Sequence, residues 1–410
     1  MAAVPLPSAI QAPTPISRVQ AHYFAVYAVF GCITPYIPIY LRDVKQLCAS
    51  EIGFTFATGQ AAVLLMPVIL TYLADRYRLV RPLLLTMFLV NIVAMTALIG
   101  AAGFWATLIW VSLNRMVTQP QVALADGIYF SLQSDPAQPR APYANVRVWG
   151  TVGYIAPSLV IYGSYYLRDY CAGGLVWMPY VAGGFAIFGV LNALRMPRRY
   201  HLPATVKAPP KVPTLAAARV LLRPKLLVFL LGVGFVISSN MAFYGFYPLY
   251  LTTQIGIDER WVGLISSLGV AVEILYILNM ERLRRRIGFG GLLLLGGIAS
   301  LFRLACLAYL PTPFFSIVFQ LVHGLTVIGY MIVPVMYLNA HAGEGYRNSI
   351  QGVYVMVIQG AFSIAGNIVS GQLAEIGLLT LYRYALLCCL LGLALVALSF
   401  RLKDRPKPLT

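Results

Sequence analysis

Charge is scarce in this chain. Only 10% of its 410 residues are Asp, Glu, Lys or Arg, whereas a soluble domain carries about 25%. Acidic groups are the rarer sign, 13 against 30 basic residues. Four histidines (His22, His201, His323, His341) and six cysteines without metal-ligand spacing offer no donor set for a zinc or iron centre. A G-x-S-x-G elbow and a phosphate-cradling Gly-Lys loop are both missing, which argues against a hydrolase or an ATP-driven machine. No catalytic residue, metal or cofactor is therefore expected. The start is proline-rich and lacks a basic segment followed by an apolar core, so residues 1–19 read as a disordered tail rather than a cleavable signal peptide. Cys48 and Cys171 fall in two loops on one expected side, which leaves a disulfide or two free thiols open.

Apolar residues fill the space. They make up 60% of the chain, with mean hydropathy +0.78, the composition of a polytopic membrane protein. About 20 such residues span a bilayer. Twelve runs qualify: 20–41, 52–74, 82–101, 104–131, 147–167, 175–194, 226–251, 261–280, 290–310, 313–340, 349–371 and 382–401. The fold class is all-α, with twelve transmembrane helices. Residues 195–225 are rich in proline and basic groups and read as a linker. It separates a first set of six (20–194) from a second (226–401), and 402–410 form a tail.

The basic residues set the orientation. With both termini inside, 23 Lys and Arg fall on the cytoplasmic side and five outside (Arg42, Lys45, Arg168, Arg260, Arg383), leaving Arg115 and Arg303 within helices. The net charge of +17 then faces anionic lipid and is not a nucleic-acid footprint.

The halves echo each other. Leu73-Ala74-Asp75-Arg76 follows the second run, and Glu281-Arg282-Leu283-Arg284 follows the eighth. Such parallel six-helix repeats are one of the transporter plans. Further on stand Asn145-Val146-Arg147-Val148-Trp149-Gly150-Thr151-Val152-Gly153, Gly269-Val270-Ala271-Val272-Glu273, Arg303 and Gln320-Leu321-Val322-His323-Gly324. In that order they resemble the major facilitator superfamily, in the branch of phenylpropionate permeases and nucleoside–proton symporters, with lactose permease more distant. The resemblance covers nearly the whole chain. It departs at Thr71 and Arg78, which replace the usual loop glycines. It implies two pseudo-symmetric six-helix bundles, alternating access, and a monomer in a bacterial inner membrane.

Ionisable groups within apolar runs mark sites by default. A rise of about 1.5 Å per residue puts Glu273, Arg303 and His323 each within roughly two turns of the midplane. They are the expected proton-coupling set, with Glu273 either holding a proton or pairing with Arg303. Resemblance to lactose permease implies sugar binding and proton coupling for such a set. That permease has a further carboxylate one turn after its histidine; Thr326 stands there in this chain, so Glu273 is the expected carrier. A permanent structural ion pair is the plainer alternative. Expected solute contacts are Tyr27, Arg115, Asn240, Tyr244, Gln320 and Gln359. Expected gating or structural charges are Asp75, Arg76, Asp126 and Arg147, with Asp126 as partner of Arg147. Tyr40 and Tyr250 are expected in the interfacial aromatic belt.

Together these features point to proton-driven import of a small organic solute such as an aromatic acid, nucleoside or sugar, with the proton gradient as energy source. Drug or metabolite efflux by proton antiport on the same fold is the alternative. An integral-membrane enzyme and a channel are less well supported: the first lacks a catalytic constellation, and the second has no need of a two-half repeat.

Overall fold

The computed structural model describes residues 16–77, 79–134, 141–167, 174–196, 221–341 and 354–402. Among the described residues, each of the twelve apolar runs is mainly helical. The first half holds α1 (Ile16–Ile33), α2 (Ile37–Asp43), α3 (Ala49–Tyr77), α4 (Val80–Gly100), α5 (Gly103–Ser134), α6 (Tyr143–Ser164) and α7 (Met178–Leu194). The second holds α8 (Pro224–Leu249), α9 (Glu259–Tyr309), α10 (Pro313–Val318), α11 (His323–Val327), α12 (Val333–His341), α13 (Ala361–Ile376) and α14 (Leu378–Arg401). Among the described residues, eight helices, α9 counted once, are long and apolar enough to cross a membrane.

Runs eight and nine are both within α9, which breaks at Gly288 with φ +68 and ψ −177. That backbone region is open essentially to glycine alone. Asp258 caps the start of α9 by accepting from the Arg260 N–H at 3.0 Å, the usual role of an aspartate there. The tenth run is not a single regular rod. α10, α11 and α12 are joined by a 3₁₀ stretch (Phe319–Val322) and a π stretch (Ile328–Ile332), and such changes of pitch are frequent at functional positions.

Within the first half α1 packs on α6 and α7, and α4 on α5 and α7; within the second, α8 packs on α13 and α14. The halves meet along two seams, α3 with α13 and α6 with α9. Leu89, Val93, Ile109, Leu191 and Leu387 stand exposed on the outside. In water that much apolar surface would be covered; against lipid tails it is the fitting surface.

Among the described residues, hydrogen bonds between the halves lie at the end away from the basic loops. Ser50 N–H donates to Glu375 Oε1 at 3.0 Å, Tyr165 Oη to Glu259 Oε2 at 2.8 Å, and the hydroxyls of Ser158 and Ser267 are 3.2 Å apart. Gly53 and Gly371 let the α3–α13 seam close: a methyl group at Gly53 would lie 2.7 Å from the Gly371 Cα. This end is sealed.

Two aromatic expectations are corrected. Tyr40 and Tyr250 are 1% and 0% exposed, so they are core rather than belt residues. Tyr250 packs edge-on to Tyr382 with ring centroids 5.2 Å apart. Cys48 is a free, exposed thiol; Cys171 and residues 1–15, 197–220 and 403–410 lie outside the described residues, while residues 16–19, expected in the disordered tail, open α1 instead.

Candidate functional site

Between the halves lies a cavity of about 1030 Å³, at the upper end of the range for small-molecule sites. Its wall runs from Thr34, Pro35 and Pro248 near the sealed end to Tyr143, Asn145, Met331 and Leu278 toward the basic end. Both halves contribute.

Glu273 is the one acid in this wall among the described residues. Two glycines bring its helix against the tenth run. A methyl at Gly324 would fall 2.9 Å from the Glu273 Cα, and one at Gly269 would fall 2.6 Å from Gln320 Oε1 and 3.3 Å from His323 Cγ. Small residues that permit such approach are a common device of membrane helix packing. They place His323 Nε2 3.8 Å from Glu273 Oε2.

The other ring nitrogen of His323 faces Arg303: Nδ1 lies 3.2 Å from Nη1. A guanidinium only donates, so Nδ1 accepts, and the imidazole in this arrangement is neutral with its proton on Nε2. Arg303 is fully buried. It also donates to Asn240 Oδ1 and lies 3.9 Å above the centre of the Phe243 ring. A cation over an aromatic face gains more when water is excluded. The expected direct Glu273–Arg303 pair is not formed: the His323 imidazole stands between carboxylate and guanidinium. The sequence could not show this, because which of three helices stands in the middle depends on helix rotation.

Asn240 is also corrected as a solute contact. It is 2% exposed, lies behind the wall, and holds Arg303, while its own amide donates to Val236 O at 2.9 Å. Tyr27, Arg115, Tyr244, Gln320 and Gln359 do line the cavity, Gln359 from a π stretch (Tyr354–Gly360).

In the first half the expected Asp126–Arg147 pair is not formed. Asp126 accepts from the Tyr143 hydroxyl at 2.8 Å and from that of Tyr23. Arg147 donates to the Tyr27 hydroxyl and stacks on that ring, 4.3 Å from its centre. Three tyrosines thus stand where one ion pair was expected, and Arg147 is freed to join the cavity wall. It is also near enough to act electrostatically on Glu273 across the cavity. Asp75 and Arg76 lie in the last turns of α3, and their side chains are outside the described set.

Sequence reading missed Gln60, Gln119 and Tyr154 in the wall. Each carried a weak signal. Gln60 and Gln119 are amides within apolar runs, and Tyr154 follows Arg147 by seven residues, close to two turns of one face.

Two halves around a central cavity, joined by contacts at one end, define a membrane transporter of the major facilitator fold. The chain belongs to the MFS_1 like family, whose profile matches residues 16–384. It is 25% identical to the YegT protein of Escherichia coli (strain K12) over 83% of this chain and 80% of that one. It is 22% identical to the nucleoside permease NupG of the same organism, covering 86% of each, and 21% identical to its xanthosine permease, covering 87% of each. The crystal structure of the nucleoside transporter NupG superposes with a TM-score of 0.81 at 19% identity, over 95% of this chain and 99% of that one. The chain is thus an integral membrane transporter of small solutes, not an enzyme.

Proposed function

We propose that the chain is a proton-coupled symporter that imports a small organic solute, such as an aromatic acid, nucleoside or sugar, by alternating access. The observation that carries this is Glu273: an acid in the cavity wall, facing an imidazole whose other nitrogen is held by a buried arginine. Ionised Glu273 attracts the Nε2–H of His323; protonated Glu273 does not need it. A shift of about 0.6 Å brings the 3.8 Å separation within hydrogen-bond distance. The charge state of Glu273 is thereby felt at Arg303 and at Phe243 and Tyr244 beside the solute. Solute and proton then bias one another reciprocally, as linkage requires.

In this reading the basic end faces the cytoplasm of a bacterial inner membrane, with both termini there, and the state described is open inward. Residues 20–194 and 226–401 rock about the cavity, joined by the 195–225 linker; Asp75 and Arg76 belong to the gate at the basic end. The working unit is a monomer whose partners are solute, proton and lipid, without nucleic acid or cofactor. The relatives named as nucleoside and xanthosine permeases support a solute of that size.

The test is uptake in proteoliposomes of fixed orientation, with a panel of labelled nucleosides, aromatic acids and sugars. An inward proton gradient should drive accumulation above equilibrium. Accumulation driven by the opposite gradient would instead identify an antiporter.

A further inference from the structure

A cation without an acid stands in the cavity wall. Of the three arginines in or behind the cavity wall, Arg303 is held by Asn240 and His323, and Arg147 by Tyr27 with Glu273 opposite. Arg115 lines the cavity yet makes no hydrogen bond, ion pair or ring contact among the described residues. Its stem is let in by Gly59, where a methyl would fall 3.2 Å from the Arg115 Cγ. Beside it in the wall stand Gln60, next to Gly59 on α3, Gln119, one turn further along α5, and Tyr154. With Glu273 as the one acid in the wall, the lining holds one positive charge more than negative. A guanidinium in a membrane-level wall with no acid against it marks a place for an anion.

We propose that Arg115 anchors the negatively charged group of the transported solute, and that the solute is a small ring-bearing organic monoanion. The planar guanidinium suits a delocalised two-atom charge, whether a carboxylate or an ionised heterocyclic imide. Gln60 and Gln119 offer amides to its remaining polar atoms, and Phe30, Phe56 and Phe243 line the same cavity as apolar surface for the ring. This rests on the symport reading above and sharpens it. One proton entering with one anion moves no net charge, so uptake responds to the pH gradient and not to the membrane potential.

The test uses the purified full chain and matched pairs differing in charge alone: 3-phenylpropionate against 3-phenylpropanamide, and xanthosine against inosine, above the pH at which the acidic member ionises. The anionic member of at least one pair should bind at least about tenfold more tightly than its neutral twin, and the pair that shows this identifies the source of the charge. Arg115→Gln should erase that preference and Arg115→Lys retain part of it. Without solute, Arg115→Gln should melt no lower than the parent, since no partner is orphaned. Equal or tighter binding of the neutral members, no binding by any of the four, a preference that survives Arg115→Gln, or a lowered melting point of the empty variant overturns the inference. Binding needs no gradient, so it can fail while gradient-driven uptake of a neutral solute persists, and succeed where proton coupling is absent.

Discussion

Glu273 and Arg303 do not touch: His323 stands between them, one ring nitrogen 3.8 Å from the carboxylate and the other 3.2 Å from the guanidinium. In the proposed coupling, their influence on one another runs through the imidazole between them. A double-mutant cycle between Glu273→Gln and Arg303→Lys should show a coupling energy above about 0.5 kcal/mol in solute binding. In a His323→Leu background that coupling should fall to within error. Persistent coupling without the imidazole would mean that the two charges act directly.

Asn240 holds Arg303 from behind the cavity wall. Asn240→Leu removes a charge-assisted hydrogen bond from a buried arginine and should destabilise the folded protein by about 1.5–3 kcal/mol. The check is thermal melting in detergent, without solute. Loss of solute affinity at unchanged melting temperature would instead put Asn240 in the wall.

The α3–α13 seam needs two glycines. Gly53→Val places bulk against Gly371, where even a methyl lies 2.7 Å from the opposing Cα, and should hold the sealed end ajar. A cysteine at Thr34, with the native cysteines replaced, should then react faster with an impermeant thiol reagent from that side. Gly100→Val, at a glycine with open space around it, is the control and should leave the rate as it was.

The turn inside α9 depends on Gly288. Gly288→Ala must adopt φ +68 and ψ −177, at a cost of about 1–3 kcal/mol. Thermal melting should drop accordingly, while Gly290→Ala, where a methyl finds ordinary contact 3.6 Å from Phe400, should melt close to the parent.

Much of this was readable from the chain. The apolar runs located the helices to within a few residues, because length and hydropathy alone dictate what can cross a bilayer. Glu273, Arg303, His323, Tyr27, Arg115, Tyr244 and Gln320 were each legible as polar or aromatic groups where lipid would not tolerate them. Which of them meet was not legible. Close approach at Gly269 and Gly324 put His323 between the charges, and the rotation of α8 put Asn240 behind the wall. Asp126 and Arg147 share the basic end of the first bundle, and charge alone suggested a pair; Tyr23, Tyr27 and Tyr143 compete for them with better geometry. Tyr40 and Tyr250 were placed by depth, and depth says nothing about whether a side chain faces lipid or a neighbouring helix.

The central claim, that the proton enters through Glu273, is tested most directly by comparing two modes of transport in one preparation. Glu273→Gln proteoliposomes should lose gradient-driven accumulation while still exchanging internal for external solute at a rate near that of the parent. If exchange disappears together with accumulation, Glu273 serves binding or folding; if accumulation persists, the coupling proton travels by another group.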